Sequence, residues 1–78
     1  MNLTPYGANQ TEVTFGNFKV FFSYKTPVAA YNDLVGEHYR TAKFWSKTTS
    51  RHINKWLDGV KAKERPQEFF DTLLNEVK

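Results

Sequence analysis

Across residues 44–59, FWSKTTSRHINKWLDG, the periodicity of the chain changes, and this change limits the fold more than any other feature. The stretch reads as the end of a strand at Phe44, a hydroxyl-rich helix start and a short amphipathic helix. Ile53, Trp56, Leu57 and Val60 recur at helical spacing and form one apolar stripe. Upstream, the chain is β-branched, aromatic and punctuated by turn residues; downstream it is helical. Strands grouped ahead of helices, without alternation, define an α+β class.

The β half covers residues 11–44. Residues 1–10 are polar, contain Pro5 and Gly7 and show no periodicity, so a loose N-terminal arm is expected. Thr11–Phe15 alternates, Gly16-Asn17 marks a tight hairpin, and residues 18–24 form the second strand. Phe18, Val20, Phe22 and Tyr24 share one face of that strand and Phe21 takes the other, which suits a central strand covered on both sides. Pro27 has no N–H for a ladder, so it is expected at a turn or a strand's first position. Residues 28–31 form a short strand, 32–37 its hairpin loop and 38–44 the next strand. The expected sheet is an antiparallel meander of three or four strands.

The first helix is expected over residues 48–59, with Thr48 or Thr49 accepting from a free N–H of its first turn and Gly59 ending it in a left-handed cap. Residues 61–65 read as a charged connector. Pro66 suits a first helical position, and Phe69, Phe70, Leu73, Leu74 and Val77 give the second helix, 66–77, its apolar stripe. The whole reads as one domain over residues 1–78, with both helices packed on one face of the meander.

At 78 residues without cysteine, the chain can use neither disulfides nor thiolate-metal sites, and its core has to come from seven Phe, four Tyr and two Trp. So small a core also suits a homodimer. His38 and His52 are too few for a zinc site, and no cofactor is implied. No nucleophile elbow or glycine-rich phosphate loop occurs, so an enzyme is not expected; a small hydrolase using His52 is the remote alternative. No stretch reaches the length of an apolar membrane span and no basic-then-apolar leader opens the chain, from which we expect no membrane association and a cytoplasmic location, that of a host cell for a viral protein.

Charge is the main functional cue. The net charge is +3, and it is unevenly placed: residues 38–65 hold eight Lys or Arg against Asp58 and Glu64, net +6, whereas residues 1–37 carry −1 and 66–78 carry −2. Lys47, Arg51 and Lys55 recur every four residues, which puts them in one row opposite the apolar stripe. Such a row suits a nucleic-acid backbone, with Arg40 and Lys43 on the preceding strand and Lys61 and Lys63 beyond the helix extending it. A solvated face of a basic protein presents the same pattern, and Asp58 weakens the row. The hydroxyls of Ser46, Thr48, Thr49 and Ser50 allow either an anion site at the helix start or simple capping, the commoner use. Phe18, Phe22, Tyr24 and Tyr31 could stack RNA bases, but a chain this small needs those rings for its core.

The runs FSYKTPVAA (residues 22–30) and WSKTTSRHINKWL (residues 45–57) resemble a family of small uncharacterised domains found in phages, other mobile elements and microbial genomes. Its marks are a Ser-Tyr-x-Thr-x-Val-Ala strand turn and a Ser-x-Thr-Thr-Ser-x-His-x-Asn strand-to-helix corner. The resemblance covers about the middle half of the chain and brings no activity with it. It implies a viral or mobile-element accessory protein, and a polar network that unites Ser23, Tyr24, Thr26, Ser46, Thr48, Thr49, His52 and Asn54. The leading expectation is a non-enzymatic module that contacts nucleic-acid phosphates. The alternative is a protein-binding accessory factor or an inhibitor of a host protein, with a host or phage protein as partner, or a self-associating homodimer.

Overall fold

In the computed structural model, the structure describes residues 2–7 and 9–75, with side chains over residues 9–14 and 16–73. The expected apolar positions Leu74 and Val77 lie outside the described side chains. Strands β1 (Asn2–Gly7), β2 (Gln10–Phe15), β3 (Phe18–Ser23), β4 (Thr26–Asn32), β5 (Glu37–Thr41) and β6 (Lys63–Arg65) form one sheet in chain order. Helix α1 (Lys47–Leu57) lies between β5 and β6, and α2 (Gln67–Asn75) follows β6. The protein is therefore α+β, and the expected meander is its centre, β2 to β5.

The meander is extended at both ends. Residues 2–7, expected as a loose arm, form the edge strand β1, with Leu3 opposite Val13 and Thr4 opposite Glu12. Pro5 is tolerated there because an edge strand has one side without a ladder. Residues 63–65, expected as a connector, form β6, which runs parallel to β5 with Tyr39 beside Lys63 and Arg40 beside Glu64. A parallel neighbour requires a crossover, and α1 supplies it. Three charged side chains in a row, Lys63, Glu64 and Arg65, hide so short a strand from any hydrophobic pattern.

The Gly16-Asn17 hairpin is present, with positive φ at Gly16 (+54°), which glycine adopts without a Cβ clash. Strand β4 carries a bulge. Phe21 pairs with Ala29 and Phe22 with Pro27, so Val28 is the extra residue. Pro27 thus sits inside a central strand at a bulge, the interior position where its missing N–H does least harm. The bulge also lets the adjacent residues Val28 and Ala29 join the same core cluster.

The two helices pack on opposite faces of the sheet, not on one. On one side, Ile53 and Leu57 of α1 meet Phe21, Val28 and Ala29, with Trp56 stacked on Phe21 at 5.3 Å between ring centres. On the other, Phe70 and Leu73 of α2 meet Val20, Ala30 and Tyr39, with Phe18, Phe22 and Phe69 around them. Val20 and Phe21 are neighbours in a strand, so they point to opposite faces and each needs its own cover. Both are fully buried, and each such side chain contributes about 1.5–3 kcal/mol. A single helical layer would leave one of them in water.

Candidate nucleic-acid interface

Helix α1 begins one residue earlier than its hydroxyl pattern suggests, and its cap is Ser46. The extended backbone of Ser46 (φ −169°) lets its Oγ accept the Thr49 N–H at 3.1 Å, while its carbonyl accepts the Ser50 N–H at 3.0 Å. This displaces Thr48 and Thr49 from the cap. Ser46 leads because its oxygen lies three residues before the donor it satisfies. The other end also closes early. Asp58 adopts the left-handed conformation (φ +49°) and donates its N–H to Asn54, and Gly59 follows with φ +81°.

Thr49, freed from capping, turns inward. Its Oγ1 lies 3.0 Å from Ser23 Oγ, and Ser23 Oγ lies 2.8 Å from His52 Nδ1. Tyr24 caps this group with its ring 5.9 Å from the imidazole, and its backbone takes positive φ (+58°) in the β3–β4 turn while its N–H donates to the Asn9 carbonyl at 2.7 Å. Thr26 faces Ser23 across that turn. Of the expected group, Thr49 and His52 are thus linked through Ser23, with Tyr24 beside the imidazole, while Ser46 enters only through the Thr49 N–H and Thr26 only through its pairing with Ser23. Two members lie elsewhere: Thr48 is exposed, and Asn54 points to the other side of α1, where its Oδ1 accepts from Arg40 Nη1 at 3.3 Å. Ser23 is 1% exposed, so its hydroxyl cannot reach a substrate, and the Ser–His contact serves as a seam between β3 and α1.

Buried Thr49, Ile53 and Leu57 define the inner side of α1, and Lys47, Arg51 and Lys55 stand exposed on the side opposite. None of the three has an ion-pair partner among the described residues. Asp58, also exposed, sits three residues beyond Lys55 and ends the row with a negative charge. The remaining expected cations divide. Arg40 and Lys43 lie along the same side of the sheet as the start of α1, lining a cleft of about 210 Å³ together with Phe44, Trp45, Ser50 and Glu64. Lys61 is exposed at the far end of α1. Lys63 is removed from the row: its Nζ pairs with Glu37 at 2.7 Å, and its register beside Tyr39 places it on the α2 face.

Phe44, Trp45 and Gln67 are functional candidates that periodicity does not reveal. Strand β5 ends at Thr41, so Phe44 and Trp45 leave the sheet instead of completing it and are 71% and 40% exposed. Trp45 is held by polar contacts. Its Nε1 donates to Gln67 Oε1 at 3.1 Å, and Lys43 Nζ lies 4.1 Å over its ring. Gln67 also accepts the Thr41 hydroxyl at 2.8 Å and donates to the Pro27 carbonyl at 2.7 Å. The signal available in sequence was two adjacent aromatics between lysines, immediately before a Ser cap.

The opposite end of the sheet is different in kind. Leu34 (73% exposed), Val35 and Val60 are bare there. Nearby, Tyr39 and Lys63 hydrogen-bond the Glu37 carboxylate, Lys63 the more strongly, and hold its pKa below the ordinary range; the same bond raises that of Tyr39. Burial against Tyr31 (4.4 Å between rings) and Trp56 lowers the pKa of His38. Among the described residues, no group of three His, Cys, Asp or Glu is placed to hold a metal, and no helix is long and apolar enough to cross a membrane.

The class these features define is a small α+β domain, one mixed sheet between two helices, with a cationic helix face and an aromatic sheet end. The chain belongs to a family of unknown function, DUF8033, whose model matches residues 1–72. Comparison with curated proteins and with solved structures finds no match.

Proposed function

We propose that this protein is a non-enzymatic module that contacts the nucleic-acid backbone through α1. The observation that carries this reading is the row Lys47, Arg51 and Lys55: three cations at one-turn intervals, exposed, directed away from the core and without acidic partners among the described residues. A row of that spacing follows a phosphate chain, and Lys43 and Arg40 continue it along the cleft. Contacts of this kind position a partner without reading its sequence, so binding is expected to fall steeply with salt and to vary little among sequences. The phage or mobile-element setting enters through the sequence resemblance alone. The test is a titration at about 50 mM salt, where counterion release favours binding, with labelled single-stranded and duplex DNA and RNA. Absence of binding to all four would end this reading.

A second reading, a protein-binding accessory factor, is favoured by the bare Leu34, Val35 and Val60 at the other sheet end. It predicts a partner that survives nuclease treatment and is released by Leu34→Asp.

A further inference from the structure

Resting on the nucleic-acid reading, we propose that the ligand is single-stranded, with an unpaired base stacking on Phe44 beside Trp45 and the flanking phosphates carried by Lys43 and Lys47. Phe44 is 71% exposed and has no ring partner among the described residues. The exposed ring, with Lys43 and Lys47 on either side in sequence, offers a base a π-face and its flanking phosphates a cation each. Trp45 supports it. Its indole is oriented by Gln67 and covered on one side by Lys43, so the ring next to Phe44 is held in place before a ligand arrives.

The cleft beside these rings decides which part of a nucleotide enters. Arg40, Lys43 and Ser50 line it, but so does Glu64, which stands next to Arg40 in the β5–β6 pairing. That carboxylate makes its own side of the cleft unfavourable for a phosphate, while Arg40 and Lys43 keep theirs cationic. It can accept a hydrogen bond from a base N–H, the thymine N3–H included, so the base edge faces Glu64 and the phosphates stay on the side of Lys43 and Lys47. Bases of an intact duplex are stacked inside it and cannot reach such a cleft, which separates this ligand from a double helix.

The experiment measures anisotropy of a labelled twelve-residue oligo-dT and of a duplex of equal length, at low salt, with the wild type and Phe44→Ala. Circular dichroism of the variant checks that the fold is retained, as its exposure leads us to expect. The expected result is preference of the wild type for the single strand, a loss of roughly 5- to 150-fold in Phe44→Ala, and little change in duplex binding or in the salt slope. Wild-type binding that is equal for both ligands and unchanged in Phe44→Ala overturns the stacking proposal and leaves the backbone reading standing. Binding of neither ligand overturns both.

Discussion

Replacing Ser23 with Ala tests whether the corner between β3 and α1 is held by hydrogen bonds. The substitution removes one oxygen from a site that is 1% exposed and so changes packing little. It deletes two contacts, to Thr49 Oγ1 at 3.0 Å and to His52 Nδ1 at 2.8 Å. Thr49 is 5% exposed, so water cannot replace the lost partner easily, and leaving such a group unsatisfied costs about 1–3 kcal/mol. His52 is half-buried and recovers part of its loss from solvent. The expected destabilisation is about 2 kcal/mol, which for a domain of this length lowers Tm by roughly 8–16 °C. Urea unfolding followed at the helical band measures it, and with a slope of about 1 kcal/mol/M the midpoint falls by roughly 2 M. Thr48→Ala, an exposed hydroxyl one residue from Thr49, is the control and should stay within about 0.5 kcal/mol. The double variant Ser23→Ala with Thr49→Val should be less damaged than the two single losses together, because an apolar pair leaves less polar surface unsatisfied. If Ser23→Ala costs no more than Thr48→Ala, the corner does not fix α1, and the position of Lys47 has another cause.

Trp56→Ala should be more severe, about 3 kcal/mol by urea unfolding, since it removes the stack on Phe21 and the bond from its Nε1 to Glu12 at 3.0 Å. Asp58→Asn should raise affinity for single-stranded DNA roughly twofold to fivefold in a low-salt titration, because it removes the acid that ends the cationic row while Asn still accepts the left-handed backbone. Acid should destabilise the protein. The pKa of His38 is lowered by burial, so the unfolded chain binds the extra proton first, and stability falls as pH drops from about 6.5 through the folded value. Glu37, whose pKa is also lowered, adds a loss at lower pH as its carboxylate protonates; His38→Gln should flatten only the upper part of a curve of urea midpoint against pH. Arg51→Glu should reduce the dependence of log affinity on log salt by roughly 0.7 or more, one phosphate contact's share for a single strand.

Much of the fold was legible because local chemistry and long-range packing agree there. Gly16-Asn17, the alternation of residues 18–22 and the stripe of Ile53 and Leu57 each point to the element that forms. The reading failed where tertiary contacts decide. Asn2–Gly7 becomes a strand because β2 offers it an edge, not because its own residues favour one. Lys63–Arg65 becomes a strand because α1 returns the chain beside β5. Phe21 already demanded a second covering layer, but a stripe on a helix does not say which face it will cover. In the expected corner only Ser23, Thr49 and His52 are joined by side-chain hydrogen bonds; Ser46 takes the cap and Asn54 goes to Arg40, roles that local sequence does not distinguish. Phe44 and Trp45 stayed hidden because aromatics after a strand read as more of its core.

The proposed interface is tested most directly by mapping amide chemical shifts as oligo-dT is added to isotope-labelled protein. Perturbations are expected over residues 43–55, strongest at Phe44, Lys47 and Arg51, and should weaken as salt is raised. Shifts confined to Leu34–Gly36 and Val60, or none along α1 at low salt, would contradict the assignment of this face to nucleic acid.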